Sequence, residues 1–417
     1  RVGSSADVTA TVTGGTWDVP AAEILVQANG SNAATATAKG IGVGLVAVNI
    51  ISATAEVSGA VLANLGANVT ASAGVTVDAD GVNTASANTP VTSVGLISVS
   101  TTKTIARVND AADVTASKSG ATTTTGAFEV NANGRNVAGV STKIVSVGFV
   151  GGAGSGLLAE IGGGVYATSA GNVTGATGTA QVLATGSNTV TSPATQTSVG
   201  LIAVNASDSD AEKEDAAQDG DAGDAGATAR ITSDADVEAK VTSGTWNVPD
   251  ADITVTATGT NLAISSAKGI TAGIVAITVI SATSTIAGAV DARFDGTVTD
   301  SASFTVTATS NNTATADTPV TGVGVVAITS SATIAEITSS ADTTVTVTGN
   351  VKTAGDYLVS AMGTNIATAV TELATVGLVA GGLSGLVAKI EGAVTATSSG
   401  GAEKTSPDTV AATVEVL

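Results

Sequence analysis

The chain carries 417 residues, with 35 acidic against 15 basic side chains, a net charge of −20, and neither histidine nor cysteine. Those absences rule out the usual histidine-based triads, thiol nucleophiles, disulfides and thiolate metal clusters, and the charge repels nucleic acid. Aromatic residues make up 2% and glycine numbers 50, so the mean hydropathy of +0.40 rests on small aliphatic side chains that suit a narrow interior.

From Arg1 onward the text occurs twice. Residues 1–171 align with 230–400 without a gap: Arg1 falls on Arg230, Trp17 on Trp246, Lys39 on Lys268 and Pro90 on Pro319. Within the copies an apolar phrase returns, as Val-Gly-Leu-Val-Ala-Val at 43–48, Val-Gly-Leu-Ile-Ser-Val at 94–99, Val-Gly-Phe-Val at 147–150 and Val-Gly-Leu-Ile-Ala-Val at 199–204. It comes back as Ala-Gly-Ile-Val-Ala-Ile at 272–277, Val-Gly-Val-Val-Ala-Ile at 323–328 and Val-Gly-Leu-Val at 376–379. Its glycines are Gly44, Gly95, Gly148, Gly200, Gly273, Gly324 and Gly377, spaced 51, 53, 52, 73, 51 and 53 residues apart. The unit is therefore about 52 residues, and the long interval carries roughly 21 extra.

Each unit reads as strands. Thr, Val and Ile alternate with small or polar residues at period two, as at 7–13 and 303–309. Gly14-Gly15, Asn29-Gly30 and Asp80-Gly81 read as turns. No helical stripe is sustained, and β-branched content outweighs the helix propensity of the alanines. Units that carry the same strands in the same order stack like on like, which predicts an all-β fold: a parallel β-solenoid (β-helix) of about eight coils, roughly 52 residues per coil. Each coil then holds two long strand regions and a shorter one, and at about 4.8 Å per coil the array is near 40 Å long. A string of immunoglobulin-like sandwiches needs about 90–100 residues per domain and an aromatic core, which this chain does not offer. The expected organisation is solenoid block 1 at 1–204, an acidic flexible insertion at 205–229, and solenoid block 2 at 230–417. The chain starts inside its own pattern, so it reads as part of a longer chain or assembly. No apolar run is long enough for a transmembrane helix.

Counted from each signature glycine, positions +2 and +4 are expected to share one face (Val46 and Val48, Ile97 and Val99) and +1 and +3 the other (Leu45 and Ala47, Leu96 and Ser98). Both faces are apolar. Either the strand is covered by another part of its own coil, or its outer face is a lateral contact surface for another copy or a partner. The candidate association residues are Leu45, Leu96, Leu201, Ile274, Val325 and Leu378.

The insertion holds eight acidic residues between Asp208 and Asp224. Asp208, Asp210, Asp219, Asp221 and Asp224 are candidate calcium ligands, because carboxylates at alternating positions with a turn glycine gather oxygen ligands. Their spacing does not make an EF-hand, and a solvated charged loop accounts for the same composition. Catalysis has little to stand on, since a glycosidase needs two opposed carboxylates and aromatic sugar platforms, whereas here every place is a copy. Trp17 and Trp246 occupy equivalent positions and read as corner packing. The glycine runs at 151–156 and 162–164 lack the strand, helix and lysine of a phosphate loop. The Thr-x-Thr runs at 9–13 and 344–348 raise ice binding as a minor alternative, although they do not recur in every coil.

The phrase Val-Gly-Leu-Val-Ala-Val-Asn-Ile-Ile at 43–51, followed by Gly-Ala-Asn-Val-Thr-Ala-Ser-Ala-Gly-Val-Thr-Val-Asp-Ala at 66–79, resembles the repeats of large filamentous adhesins, the haemagglutinin-like and leukotoxin-type families. The resemblance covers nearly all of the chain outside 205–229. It implies a β-solenoid at the bacterial cell surface, adhesion or cell–cell contact, and no cofactor, with cell-surface receptors as the expected partners; the expectation of no enzyme activity and the calcium candidates rest on the residues above. The chain departs from the family in showing no secretion domain or terminal cap. The alternative expectation is a self-assembling extracellular filament or sheath subunit that associates with other copies of itself.

Overall fold

The computed structural model describes residues 1–207, 226–404 and 413–416. Among them there is no α-helix, none long and apolar enough to cross a membrane, and every strand pairing is parallel. Each repeat supplies one layer made of a short strand and two long strand regions. The short strands Val8–Val12, Val61–Leu65, Val114–Ser119, Val165–Ala170, Val237–Ser243, Val290–Phe294, Thr343–Val347 and Val394–Ser398 form an eight-stranded sheet in chain order. The long regions pair in the same sequence: Ile24 lies on Val75 and Val75 on Phe128, while Val46 lies on Ile97 and Ile97 on Val150. Residues one repeat apart therefore sit one strand spacing apart, about 4.8 Å.

The alternation between 51 and 53 residues arises at one corner. Three residues separate Val57 from Val61 and Ile161 from Val165, whereas five separate Val108 from Val114 and Ile231 from Val237. Each five-residue corner ends in an aspartate that reaches into the following three-residue corner. The Asp113 carboxylate accepts the Gly164 N–H at 2.8 Å, Asp236 that of Ala289 at 2.7 Å, and Asp342 that of Ala393 at 2.7 Å. Asp7 does the same for Ala60 at 2.8 Å. At the opposite corner, glycines with φ near +106° (Gly15), +85° (Gly120), +114° (Gly171) and +112° (Gly244) turn the chain where a side chain would be strained.

The interior narrows along each layer. Facing the short strands it holds Val75, Phe128 and Phe304; further along it is lined largely by alanine, including Ala85, Ala138 and Ala263; beyond that Ser and Thr mix with Val91, Ile144 and Ala153. The few aromatics gather at the wide end. Trp246 is fully buried and meets Phe128 edge-on at 5.5 Å and Phe294 at 5.8 Å, and the row continues to Phe304 and Tyr357. Ala180 stands at the Phe128 position of the intervening layer, which leaves room for the indole. Trp17, its repeat equivalent in the first layer, is exposed; the expected corner-packing role therefore holds for Trp246 as a core residue and not for Trp17.

One polar column crosses this core. Asn32, Asn83, Asn136, Asn188, Asn261, Asn312 and Asn365 form a ladder in which each amide donates to the next carbonyl oxygen at 2.9–3.1 Å. The second amide hydrogen of Asn83 goes to the Ala112 carbonyl at 2.9 Å and that of Asn136 to Gly163 at 2.8 Å, which ties the ladder to the corner. The ladder corrects the expected turns at Asn29-Gly30 and Asp80-Gly81. Both lie inside long strands, Thr16–Thr37 and Asn68–Val108. Glycine is needed there for space: a Cβ on Gly81 would come within 2.2 Å of a Val114 methyl.

The acidic insertion interrupts a strand without displacing it. Ile202–Ala206 and Ala227–Ile231 both pair with Val150–Ile161 on one side and Val275–Ile286 on the other. Asn136→Ala should cut the ladder at its middle and leave the Asn83 donor unpaired in a buried site, costing about 2–4 kcal/mol. Asn365→Ala, at the half-buried end, should cost clearly less; denaturant titration of both variants measures the difference.

Candidate functional site

Each layer folds back on itself at the signature glycine. The glycines stack so closely that a Cβ on Gly95 would meet the Gly44 carbonyl oxygen at 2.3 Å, and one on Gly148 that of Gly95 at 2.3 Å. The bend shifts the inside–outside alternation by one residue. Positions +1 and +3 therefore do not share a face, contrary to the expectation from strand period alone. Position +3 is interior (Ala47, Ser98, Ala203, Ala276, Ala327), and +1, +2 and +4 all point outward.

The candidate association residues come together along this bend. Leu96 is 55% exposed, Ile274 49% and Val325 45%; Leu45 and Leu378 are more open still at the two ends, and Leu201 is half-buried. Sequence reasoning passed over Phe149, which takes the +1 position in the third layer and is 54% exposed. With Val43, Val94, Val147 and Val199 at position −1 and Val46, Ile97 and Ile202 at +2, they form a continuous apolar belt that no other described part of the chain covers.

Behind the belt the interior mixes hydroxyl side chains with the small cluster of Val91, Ile144 and Ala153. Thr89 and Thr104 hydroxyls lie 2.5 Å apart, Thr89 also donates to Thr142, and Ser98 and Ser146 are 2.7 Å apart. The second copy repeats this with Thr318, Thr333 and Thr371 at 2.5–2.9 Å. Pairs of small hydroxyl side chains fit the gap and hydrogen-bond one another beside the Val91 and Ile144 side chains, while the groups in contact with solvent are apolar.

Further along the second long region a charged column runs the length of the stack. Glu56, Arg107, Glu160, Arg230, Thr285, Glu336 and Lys389 succeed one another in register. Neighbouring charges are opposite: Arg107 to Glu160 is 3.4 Å, Arg230 to Glu160 3.9 Å and Lys389 to Glu336 3.1 Å, and Arg1 meets Glu56 at 2.5 Å. Lys389 is raised by its hydrogen bonds to Glu391 and Glu336. On the short-strand side Lys118 is buried and donates to the carbonyls of Ala67, Ser119 and Gly120 at 2.6–3.0 Å, and burial lowers its pKa to about 8.

The calcium candidates Asp208, Asp210, Asp219, Asp221 and Asp224 lie outside the described residues. Among the described residues no three carboxylates converge in a way that could hold a metal ion. No family model, no curated protein and no solved structure matches the chain.

The corner aspartates are the most perturbed acids. Burial raises Asp113 to about 6, helped by Asp110 and Asp234 and opposed by the Gly164 N–H. Burial likewise raises Asp236 to about 6, with Glu238 and Asp234 adding and the Ala289 N–H and Lys240 opposing. A carboxyl with a folded pKa above its ordinary 3.8 binds its proton more tightly in the fold. These two groups therefore add stability as pH falls from above 6 toward 3.8, and that gain is lost as pH rises back through 6. Both are half-buried, and solvent screening limits the effect. The double variant Asp113→Asn/Asp236→Asn keeps both acceptors and removes both charges. It should melt on the order of 2 °C above the parent at pH 7.5 and show a smaller gain between pH 7.5 and 5, as read by calorimetry.

Proposed function

We propose that the chain is a parallel β-solenoid segment of an extracellular structural or adhesive repeat protein, a stalk or filament element at a bacterial surface that mediates attachment or cell–cell contact. The observation that carries this reading is the like-on-like parallel register, shifted only locally near Trp17, Ser169 and Trp246, with the asparagine ladder pinning each layer to the next. Such an array resists shear between layers, because sliding by one residue would break the ladder and move every core side chain to the outside. The repeated charges and apolar residues make a long uniform surface, which suits scaffolding or multivalent contact better than chemistry at one point; in this reading the chain is not an enzyme. The resemblance of 43–51 and 66–79 to filamentous adhesin repeats supports the same assignment. A self-assembling filament or sheath subunit is the second reading, and the exposed belt at the bend favours it.

Displayed on a non-adherent Gram-negative cell, the chain should raise attachment to host cells or cell–cell clumping several-fold over an unrelated displayed β-protein. Equal adhesion in both would overturn the adhesive reading. If the acidic insertion is a calcium site, millimolar calcium should raise the melting midpoint, and Asp219→Asn/Asp221→Asn/Asp224→Asn should abolish that rise; an identical midpoint with calcium or chelator leaves the segment as a charged loop only.

A further inference from the structure

We propose that the apolar belt is an interface between two copies of this chain, packed side by side with their stacking axes parallel. The inference names the partner of the belt and rests on the self-association reading above.

Size is the first argument. From Gly44 to Gly377 the belt crosses every complete layer, about 30 Å at one strand spacing per layer. Across the bend it spans positions −3 to +4, roughly 20 Å. The product, on the order of 600 Å² per chain measured around the curved edge, lies at the upper end of what monomers leave exposed and below the roughly 800 Å² per partner of a standard complex.

Composition is the second. At outward positions −3, −1, +1, +2 and +4 no layer carries an acidic or basic residue, in a chain with 35 acidic and 15 basic ones. Charge begins at the rim, at position −5, where Lys39, Lys143, Lys268 and, in the last layer, Glu372 are exposed. A dry apolar centre with a charged rim is the anatomy of a protein–protein contact.

Periodicity selects the occupant. The belt repeats a branched side chain once per strand spacing along its whole length. A second copy presents ridges at the same spacing, so side chains that interdigitate in one layer interdigitate in all of them. A lipid surface offers no such match, and the net charge of −20 opposes an anionic leaflet.

Orientation follows from the rim. In an antiparallel pair the −5 row would face its own copy reversed, setting Lys143 against Lys268 near the centre and Lys39 against Glu372 at the ends. A rotation about an axis parallel to the stack instead sets that row against position +8, which is Ser52, Gly156 and Ser281 in the same layers. Parallel pairing therefore removes the Lys143–Lys268 repulsion from the centre of the contact and gives up only the end pair of Lys39 with Glu372.

The test uses the full chain in analytical ultracentrifugation. The parent should sediment as a dimer at micromolar concentration. Leu96→Lys/Phe149→Lys/Ile274→Lys should weaken association at least tenfold, with unchanged circular dichroism and melting midpoint. Since the chain has no native cysteine, Phe149→Cys alone should form a disulfide dimer under mild oxidation. Crosslinking only when Phe149→Cys is mixed with Ile274→Cys would overturn the parallel arrangement. A monomeric parent at 0.1 mM, as an order of magnitude for tight dimers, or an unaffected triple variant would overturn the interface. A monomeric parent that binds phosphatidylcholine vesicles through Leu96 and Phe149 would reassign the belt to lipid. A monomer that still promotes adhesion when displayed defeats this inference alone, whereas a dimer that promotes none defeats the adhesive reading alone.

Discussion

Each described strand lies beside its repeat equivalent, in parallel, one strand spacing away and in register apart from local shifts near Trp17, Ser169 and Trp246. That constraint decides which residues the interior accepts. An interior side chain must tolerate a near-copy above and below it. Asparagine does so well, since each amide is at once donor and acceptor, and the ladder from Asn32 to Asn365 follows. Alanine and valine do so through shape. A fully charged column of one sign would not, and the column through Glu56, Arg107, Glu160 and Arg230 alternates. The Trp246 indole fits because Ala180 gives way in the neighbouring layer, whereas Phe304 and Tyr357 stack directly on one another.

The two copies of the sequence show that these contacts act in pairs. Arg107 and Glu160 become Glu336 and Lys389 at the equivalent positions of the second copy. The signs are exchanged and the attraction is kept. Gly81 and Val114 become Ser310 and Thr343. The glycine that made room for a valine methyl is replaced together with that valine, and the two hydroxyls now lie 2.5 Å apart. A single change at either position would have left a clash or an unpaired hydroxyl. Both exchanges preserve an interaction across layers while altering its chemistry, so the packing, and not the individual residue, is what the repeat carries.

The layer spacing, the all-β class and the three strand regions per layer were legible in the sequence, because period-two alternation and the recurring Val-Gly phrase are strong signals. The exposure of Leu96, Ile274 and Val325 was legible as one of two options. The rest was hidden for specific reasons. Gly81 and Asn83 look like turn chemistry, and only the opposite valine explains the glycine and only the ladder explains the asparagine. The signal was present as Gly-x-Asn at 30–32, 81–83, 134–136, 186–188, 259–261 and 363–365, but a motif spaced at a full layer is invisible to local reasoning. The bend at Gly44 and its equivalents upset the face assignment, since one turned residue moves every later side chain to the other side. The paired corners were encoded in the difference between 51 and 53 residues, too small to interpret without the Asp113 and Asp236 contacts.

The apolar belt is not a by-product of strand propensity. Directly behind the glycines Ser, Thr and Ala fill the gap, with Val91 and Ile144 next to them. That accounts for the interior but leaves the exterior free. Elsewhere the same layers place polar residues outward: Thr76, Asp78 and Asp80 in one, Glu129, Asn131 and Asn133 in the next, all in register along the same sheet. Threonine would satisfy the strand equally well at the bend. Seven layers instead hold Leu, Phe, Ile or Val at +1, including Phe149 where its neighbours have Leu. Exposed apolar area carries a standing cost in solubility. A repeat that meets that cost in each layer, while keeping its charges a few residues away, has a surface organised for contact, and contact spread evenly along its length favours a partner with the same spacing.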